Sequence, residues 1–247
     1  MTVPPAPALA AISHGTASPD GQAAVAALVG ATRDLAGGNG SVSDIRLGHV
    51  DVQDPDVPAT LSALRPQQPA VLVPLLLSAG YHVNVDMRQA AEGAGRPTTV
   101  TGALGPDPRL AAALEQRLRE AGGNPEEDVL ILAAAGSSHQ NAVVDVQAAA
   151  QLLQDRLNRS VQDAYLAFAS PHVAEAVSAA RAENPQRRIA VISYLLAPGY
   201  FQDQLKKQGA DLVTAPLLDI ADHGPDVPQG LPEIVLERFQ QGLAGLS

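Results

Sequence analysis

Two kinds of segment alternate along the chain, distinguished by their hydrophobic and polar positions. Short apolar runs of strand length recur, and residues 70–77 form a continuously apolar run bounded by Pro69 and Gly80. Such a run is typical of a strand buried on both faces of a sheet. Ala-rich or mixed segments of helix length lie between the runs. The alternation predicts an α/β fold in which helices cover both faces of a parallel sheet.

The order of predicted elements is the same in the two halves of the chain. The first half predicts strands at 8–13, 42–52, 70–77 and 98–103, and helices at 22–36, 57–64, 84–91 and 109–121. The second half predicts strands at 129–135, 164–168, 188–196 and 211–217, and helices at 141–157, 172–181, 202–208 and 232–239.

Matching landmarks indicate an internal duplication with an offset of roughly 115 to 120 residues. The pairs are Gly15-Thr16 with Gly136-Ser137, Pro55 with Pro171, and Gly80-Tyr81 with Gly199-Tyr200. The breaker cluster at 122–125 suits a linker. We therefore predict two similar halves, 1–122 and 126–247, each a small parallel sheet flanked by helices. Their facing surfaces should form an interdomain cleft, a common place for small-molecule sites.

Composition narrows the function classes. The 247 residues are 46% hydrophobic but only 3% aromatic, so the core should consist of small aliphatic side chains. The absence of cysteine excludes disulfides and thiolate sites, and fits a reducing cytoplasm. We see no signal peptide and no run approaching the roughly 20 apolar residues of a membrane span. A net charge of −10 argues against nucleic-acid binding. A fused two-half chain needs no partner to complete its cleft, so we expect a monomer.

The candidate chemistry lies at the ends of predicted strands, where ligands bind in open parallel sheets. His14 follows the first strand, Asp51 ends the second and His82 follows the third. Two imidazoles and a carboxylate suit Fe²⁺, Co²⁺ or Ni²⁺ and leave coordination positions open for exchange. Each residue also has a purely structural interpretation. His14 could be a hydrogen-bonded histidine of a turn, Asp51 a solvated carboxylate of a loop, and His82 a histidine that caps a helix.

The duplication serves as an internal control on these three residues. Aligning the halves places Ala135 opposite His14, Ala167 opposite Asp51 and Phe201 opposite His82, while the framework glycines and prolines remain. A requirement of the repeated fold should appear in both halves, whereas a catalytic requirement need appear only once. The comparison favours a functional interpretation and places the chemistry on the N-terminal half. His139, His172 and His223 are interpreted as surface residues, although His139 and His172 could line the cleft from the opposite side.

Hydroxyl groups near helix starts are candidates for binding acidic groups of a ligand. Thr16, Ser137 and Ser138 lie in turns before helices, where N–H groups and hydroxyls can hold a carboxylate. Plain helix capping explains them equally well. The chain has no dinucleotide-binding glycine fingerprint and no P-loop motif.

Three segments resemble the class II chelatases that act on sirohydrochlorin. Ser13-His14-Gly15-Thr16 resembles the His-Gly-Ser/Thr signature of that family. Residues 73–86 resemble its second signature, an apolar strand that leads to Gly-x-His and then an Asp. Residues 104–110 are similar to its third landmark. The resemblance covers the whole chain and implies the long, two-repeat form. It implies metal binding by His14, His82 and a glutamate, whose position falls on Asp51. Asp is one methylene shorter, which puts the third ligand in doubt.

The resemblance implies a sirohydrochlorin ferrochelatase that makes siroheme. His14 and His82 would hold the metal or accept pyrrole protons, and the divalent metal is a substrate, with no permanently bound cofactor. The carboxylates of the macrocycle would meet Thr16, Arg46, Arg88, Ser137 and Ser138. Alternatives are a cobaltochelatase of cobalamin synthesis, a metal or tetrapyrrole carrier without turnover, and a two-lobed solute-binding protein, against which the small size and the lack of a signal peptide argue.

Overall fold

A computed structural model describes residues 5–39, 42, 44–78, 80–221 and 224–246, and of residues 39 and 81–84 it describes the backbone alone. The chain divides into two compact units. Unit 1 comprises residues 1–104 and 230–247, and unit 2 comprises residues 105–229. In the described residues, no helix is both long and apolar enough to cross a bilayer.

Unit 1 is built on a parallel four-stranded sheet with the strand order β2-β1-β3-β4. Its strands are β1 (Ala8–Ser13), β2 (Ile45–His49), β3 (Ala70–Pro74) and β4 (Thr98–Val100). Its helices are α1 (Pro19–Asn39), α2 (Val57–Ser62), α3 (Tyr81–Glu92) and α8 (Leu231–Leu243). Every residue of β1 and β3 is buried, as expected for central strands covered on both faces.

Unit 2 repeats this architecture with the strand order β6-β5-β7-β8. Its strands are β5 (Val129–Ala134), β6 (Val161–Tyr165), β7 (Ile189–Tyr194) and β8 (Leu212–Val213). Its helices are α4 (Pro108–Glu120), α5 (Gln140–Leu157), α6 (Val173–Glu183) and α7 (Tyr200–Leu205). The α/β prediction of two parallel sheets flanked by helices is confirmed.

The last helices of the two repeats are exchanged between the units. Helix α4 follows the first sheet in sequence, yet it packs on α5 and β7 of unit 2. The buried Arg117 anchors it there, with Nη2 donating to the Leu217 carbonyl over 2.8 Å and Nη1 to Asp226 Oδ2 over 2.6 Å. Burial lowers the pKa of Arg117, but the hydrogen bonds and charges of Glu120 and Asp226 outweigh this effect and raise it.

Helix α8 closes unit 1 in the same way, although it belongs to the second repeat in sequence. It packs on α1, β3 and β4. The approach is close at Gly242, where an added Cβ would lie 2.3 Å from Val71 Cγ1. Arg238 Nε donates to the Ala103 carbonyl over 2.8 Å. The compact units therefore divide at 104/105 and 229/230, whereas the sequence-based division between 122 and 126 follows the repeats.

Several predicted bounds differ from the observed ones. Helix α1 continues through Gly37 and Gly38, beyond the predicted helix 22–36, and β2 is shorter than the predicted strand 42–52. Strand β8 has only two residues, because Pro216 has no N–H with which to continue the ladder. An antiparallel hairpin, β9 (Asp219–Ala221) with β10 (Gly224–Asp226), was not predicted.

Candidate functional site at the carboxyl edge of the first sheet

His14 and Asp51 are held side by side by the loops that follow β1 and β2. The Val50 N–H donates to the Ser13 carbonyl over 2.9 Å, and the Asp51 N–H donates to the His14 carbonyl over 3.0 Å. These bonds extend the parallel ladder two residues beyond the strands. The two side chains that the sequence predicted as metal donors therefore leave one edge of the sheet from hydrogen-bonded backbone positions.

Gly15 makes this close pairing of loops possible. Its φ is +94°, a conformation that L side chains rarely adopt. A Cβ at this position would lie 1.8 Å from the Asp51 carbonyl oxygen. The glycine after His14 is thus required by the approach of the Asp51 backbone.

A buried polar pair supports the loop from inside the sheet. Ser13 Oγ lies 2.8 Å from Nδ1 of His49 and accepts a hydrogen bond from the Gly15 N–H at 3.2 Å. Both residues are buried, at 4% exposure each. Burial lowers the pKa of His49, and the nearby Asp54 carboxylate only partly offsets this effect. His49 is therefore a buried hydrogen-bonding partner of Ser13, the residue that precedes His14.

Unit 2 builds the same loop pair with different side chains. The Ala167 N–H donates to the Ala135 carbonyl over 3.0 Å. Gly136 has φ +91°, and a Cβ there would lie 1.8 Å from the Ala167 carbonyl oxygen. The next residue, Phe168, has φ +65°, close to the +67° of Val52. The two backbones therefore match contact for contact.

This match strengthens the internal comparison made from sequence. The positions of His14 and Asp51 correspond to Ala135 and Ala167 by hydrogen bonding as well as by alignment. Methyl groups suffice for this backbone, so folding does not require the imidazole or the carboxylate. Both polar side chains are also exposed. They are available to a ligand at the strand ends.

The third predicted donor, His82, is the second residue of α3, a helix whose N-cap is Gly80. Its side chain lies outside the described residues. Among side chains that the structure does describe, no group of three or more His, Cys, Asp or Glu could hold a metal ion. The structure therefore brings together His14 and Asp51. The third ligand stays a prediction.

Two of the hydroxyl groups predicted to bind substrate accept hydrogen bonds from the backbone of their own turns. Thr16 Oγ1 accepts from the Ser18 N–H at 3.1 Å, and Ser137 Oγ accepts from the His139 N–H at 3.1 Å. The Thr16 N–H donates to Gln53 Oε1 over 2.8 Å. Both hydroxyls therefore bond backbone N–H groups of the turns that precede α1 and α5, and Ser138 is exposed in the same turn of unit 2.

The two predicted arginines have different placements. Arg46 is the second residue of β2, pairs in register with Ala10 and forms a 2.8 Å ion pair with Asp44. The structure therefore places Arg46 well before the strand end that carries Asp51. Arg88 is exposed on α3. Helical periodicity puts it six residues, about 240°, around the helix from position 82.

His139 and His172 are the N-cap residues of α5 and α6 in unit 2. His223 lies outside the described residues. Sequence reasoning missed the Ser13–His49 pair and the Gln53 contact. The available signal was His49 at the buried end of a strand, on the same side as Asp51.

Comparison of the sequence with known protein families identifies the family of this chain. The CbiX family model matches residues 8–121 and 129–218, one match for each repeat. The matches cover most of the chain, so the protein belongs to the CbiX family, and the resemblance seen in the sequence motifs is confirmed. No curated protein sequence matches the chain significantly.

Solved chelatase structures share the fold over nearly the whole chain. SirB from Bacillus subtilis with Fe³⁺ matches with a TM-score of 0.77 at 19% identity, covering 96% of each chain. The sirohydrochlorin chelatase SirB from Bacillus subtilis subspecies spizizenii, in complex with cobalt, matches with a TM-score of 0.71 at 16% identity, covering 96% of this chain and 94% of that one. CbiX, the terminal enzyme for siroheme biosynthesis in denitrifying bacteria, matches with a TM-score of 0.63 at 16% identity, covering 94% and 98%.

Proposed function

We propose that the protein is a sirohydrochlorin ferrochelatase, which inserts Fe²⁺ into sirohydrochlorin to make siroheme. One observation carries the proposal most: two hydrogen-bond-matched loops differ in bearing His14 and Asp51 in unit 1 and two alanines in unit 2. Nitrogen and oxygen donors suit a divalent transition metal that must be bound and then released. Family membership supports the same reaction class.

His14 is the central residue of the proposed mechanism. Metallation removes water from the metal and two protons from pyrrole nitrogens. An exposed imidazole performs either task, because its ordinary pKa lies near neutrality. The two roles compete, since a nitrogen bound to metal cannot accept a proton. We assign metal delivery to the pair of His14 and Asp51, and assign His82 to the same centre.

Asp51 supplies the negative charge of the centre. Its Oδ1 accepts from the Val52 N–H at 2.8 Å, which orients the carboxylate. The carboxylate offsets part of the metal charge during transfer and can pass protons to solvent. Because Asp is one methylene shorter than Glu, the metal preference is expected to depend on this residue.

The substrate must approach an acidic protein. Sirohydrochlorin carries eight carboxylates, and the chain has a net charge of −10. Most carboxylates should therefore stay in solvent. We retain Thr16, Arg46, Arg88, Ser137 and Ser138 as proposed contacts, with Arg88 favoured over Arg46 because Arg46 is paired with Asp44. A substrate affinity insensitive to Arg88→Ala and to salt would exclude Arg88.

Cobalt insertion is the second candidate function. The solved relative SirB is described both with Fe³⁺ and in complex with cobalt. The donors in this chain suit either metal. A carrier without turnover is the third candidate, motivated by the replacement of Glu by Asp51. We further propose a cytoplasmic monomer with no resident cofactor.

An anaerobic absorbance time course tests the proposal. Sirohydrochlorin is mixed with Fe²⁺ or with Co²⁺, at substrate concentrations far above that of the protein. Many turnovers per protein, above the spontaneous rate, support the chelatase, and the faster metal identifies the preferred substrate. Spectral changes that stop at one macrocycle per chain would identify a carrier and exclude the enzyme.

A further inference from the structure

Unit 2 exposes aromatic side chains at the sheet edge that carries metal donors in unit 1. The whole chain has three phenylalanines, four tyrosines and no tryptophan. Among the described residues, Phe168, Tyr200 and Phe201 are 78%, 69% and 41% exposed. Folding normally buries such side chains, and an exposed apolar group of this kind often marks a binding surface. We call these three residues the aromatic edge.

The sheet topology places the members of the aromatic edge around one strand end. Phe168 follows β6, and the pair Tyr200–Phe201 begins α7 after β7. Strand β5 lies between β6 and β7, so the two sides are separated by about two strand spacings, roughly 10 Å. That span is comparable to the width of a tetrapyrrole ring.

Two members of the aromatic edge lie at or beside the position of a metal donor in unit 1, whereas Tyr200 corresponds to Tyr81 and is common to both repeats. Phe168 corresponds to Val52, which directly follows Asp51, and Phe201 corresponds to His82 in the aligned repeats. Phe168 has φ +65°, which is unfavourable for a bulky side chain. Neither the backbone nor the core requires an aromatic residue there. Unit 2 thus has Phe201 where unit 1 has His82, and Phe168 beside the position of Asp51.

The geometry of the pair suits a flat, conjugated ligand. The rings of Tyr200 and Phe201 have centroids 5.6 Å apart and planes at 74° to each other. One ring can therefore stack on a planar molecule while the other meets it with its edge, and aromatic groups favour both arrangements. A ligand with apolar faces and a polar rim would cover these rings and keep its rim in water.

Charge at the same helix fits an acidic rim. The only two lysines of the chain, Lys206 and Lys207, directly follow α7 and are exposed. They lie five and six residues beyond Phe201, about 8–9 Å along a helix, which is within reach of carboxylate arms that extend from a macrocycle seated on the rings. The same segment carries the exposed Asp203, so residues 200–207 have a net charge of +1 (two lysines minus one aspartate). In a chain with net charge −10, this local excess of positive charge favours an acidic ligand.

We propose that the aromatic edge of unit 2 is a stacking platform for the face of the tetrapyrrole macrocycle. The proposal rests on the proposed function for the identity of the ligand. It assigns to unit 2 a binding role that needs no metal donors. Phe168, Tyr200 and Phe201 are then binding residues that determine affinity for the macrocycle, whether or not metal is present.

The test measures binding of metal-free sirohydrochlorin and of metal-free uroporphyrin, a flat tetrapyrrole with eight carboxylates, by absorbance titration without metal. Variants Phe168→Leu and Phe201→Leu keep apolar bulk but remove the ring, as does Tyr200→Leu. Val144→Ala, at a 51% exposed apolar position on α5, is the matched control. Circular dichroism establishes that each variant is folded.

We expect each ring deletion to weaken binding by about tenfold, as for aromatic stacking on flat bases, with Val144→Ala unchanged. Wild-type binding of sirohydrochlorin that all three Leu variants retain would overturn the platform and leave the chelatase proposal standing. Ring-dependent binding of uroporphyrin alone would keep the platform and reject sirohydrochlorin as the substrate. Wild type that binds neither compound would overturn both proposals.

Discussion

The Ser13 hydroxyl lies 2.8 Å from Nδ1 of His49, directly beneath the loop that presents His14. Both side chains are buried, so loss of either partner leaves the other without its hydrogen bond. We expect Ser13→Ala and His49→Ala each to lower the free energy of unfolding by about 1–3 kcal/mol. In the double variant, the loss should be smaller than the sum, because the two residues share one interaction.

Urea unfolding of the two single variants and the double variant measures this coupling. The matched control is Tyr165→Phe, at the position of unit 2 that corresponds to His49, which removes a 2.7 Å hydrogen bond to Asp163. Its expected cost is about 1 kcal/mol. Strictly additive losses for Ser13 and His49 would show that the pair does not act as a unit.

Substitution of the two loop glycines, Gly15 and Gly136, distinguishes an effect on stability from an effect on metallation. Gly15→Ala and Gly136→Ala each place a Cβ 1.8 Å from a backbone oxygen, in a residue with positive φ. We expect each to cost about 2 kcal/mol or more, because backbone cannot yield as a flexible side chain does. Only Gly15→Ala displaces the backbone of Asp51 and His14, so only it should reduce the metallation rate of the folded protein at saturating sirohydrochlorin. Gly136→Ala displaces Ala167, next to Phe168, and should act on substrate affinity instead.

Gly95→Ala is the control for backbone conformation alone. Gly95 has φ +62°, but an added Cβ meets no atom within 4 Å. Its destabilisation should be smaller than that of Gly15→Ala in thermal denaturation. Equal loss of metallation at saturating sirohydrochlorin by folded Gly15→Ala and Gly136→Ala would contradict the assignment of the chemistry to unit 1.

Asp51 is expected to set metal affinity through its charge and its reach. Asp51→Asn keeps the size and an acceptor for the Val52 N–H but removes the charge. It should weaken Co²⁺ binding about tenfold or more, as the loss of one anionic partner implies. Asp51→Glu retains the charge and adds the methylene, and should keep or improve binding. Isothermal titration with Co²⁺ measures both, and an Asp51→Asn affinity equal to wild type would exclude Asp51 as a ligand.

Asp128 makes the stability of unit 2 depend on pH. Its buried carboxylate accepts from Arg188 at 2.8 and 2.7 Å and from the Asn124 N–H at 2.8 Å. Burial by itself raises the pKa of Asp128, but the hydrogen bonds from Arg188 and Asn124 outweigh it and hold the pKa below its ordinary value. The carboxylate therefore stabilises the fold above its unfolded pKa of about 3.9, and this contribution disappears as the pH falls towards the folded value.

Chemical unfolding of Asp128→Asn at several pH values measures this contribution. The variant should be less stable than wild type above about pH 5, and the difference should shrink as the pH falls below about 4. Asp155→Asn is the control, at an exposed aspartate of α5 whose carboxylate accepts from Gln151 at 2.7 Å, and it should track wild type. A pH-independent difference for Asp128→Asn would refute the ionic account.

The parts of the fold that sequence predicted are those with local signals. The fully apolar runs of β1 and β3 could hardly be anything but central strands, and the position of His14 followed from the end of β1. The correspondence of Asp51 with Ala167 followed from the repeat. These predictions depend on the hydrophobic periodicity of single segments and on the alignment of the two repeats, and neither requires knowledge of how segments pack.

The parts that sequence missed depend on long-range packing. The amphipathic pattern of α8 predicts a buried face but does not say which sheet covers it, so its packing on β3 was not foreseen. Ser13 and His49 are 36 positions apart and meet only through the parallel register of β1 with β2. The short hairpin of β9 and β10 contains Pro225 and lacks an alternating pattern that would predict a strand.

The most direct test of the central claim is the initial rate of metal insertion by His14→Ala, measured anaerobically with saturating sirohydrochlorin and the metal that wild type inserts faster. The control is His172→Asn, which replaces the N-cap histidine of α6 by a good capping residue. We predict that His14→Ala falls about 100-fold or more, as loss of a metal donor or general base implies, while His172→Asn keeps the wild-type rate. A folded His14→Ala variant that inserts metal as fast as wild type would contradict the placement of the chemistry at the carboxyl edge of the first sheet.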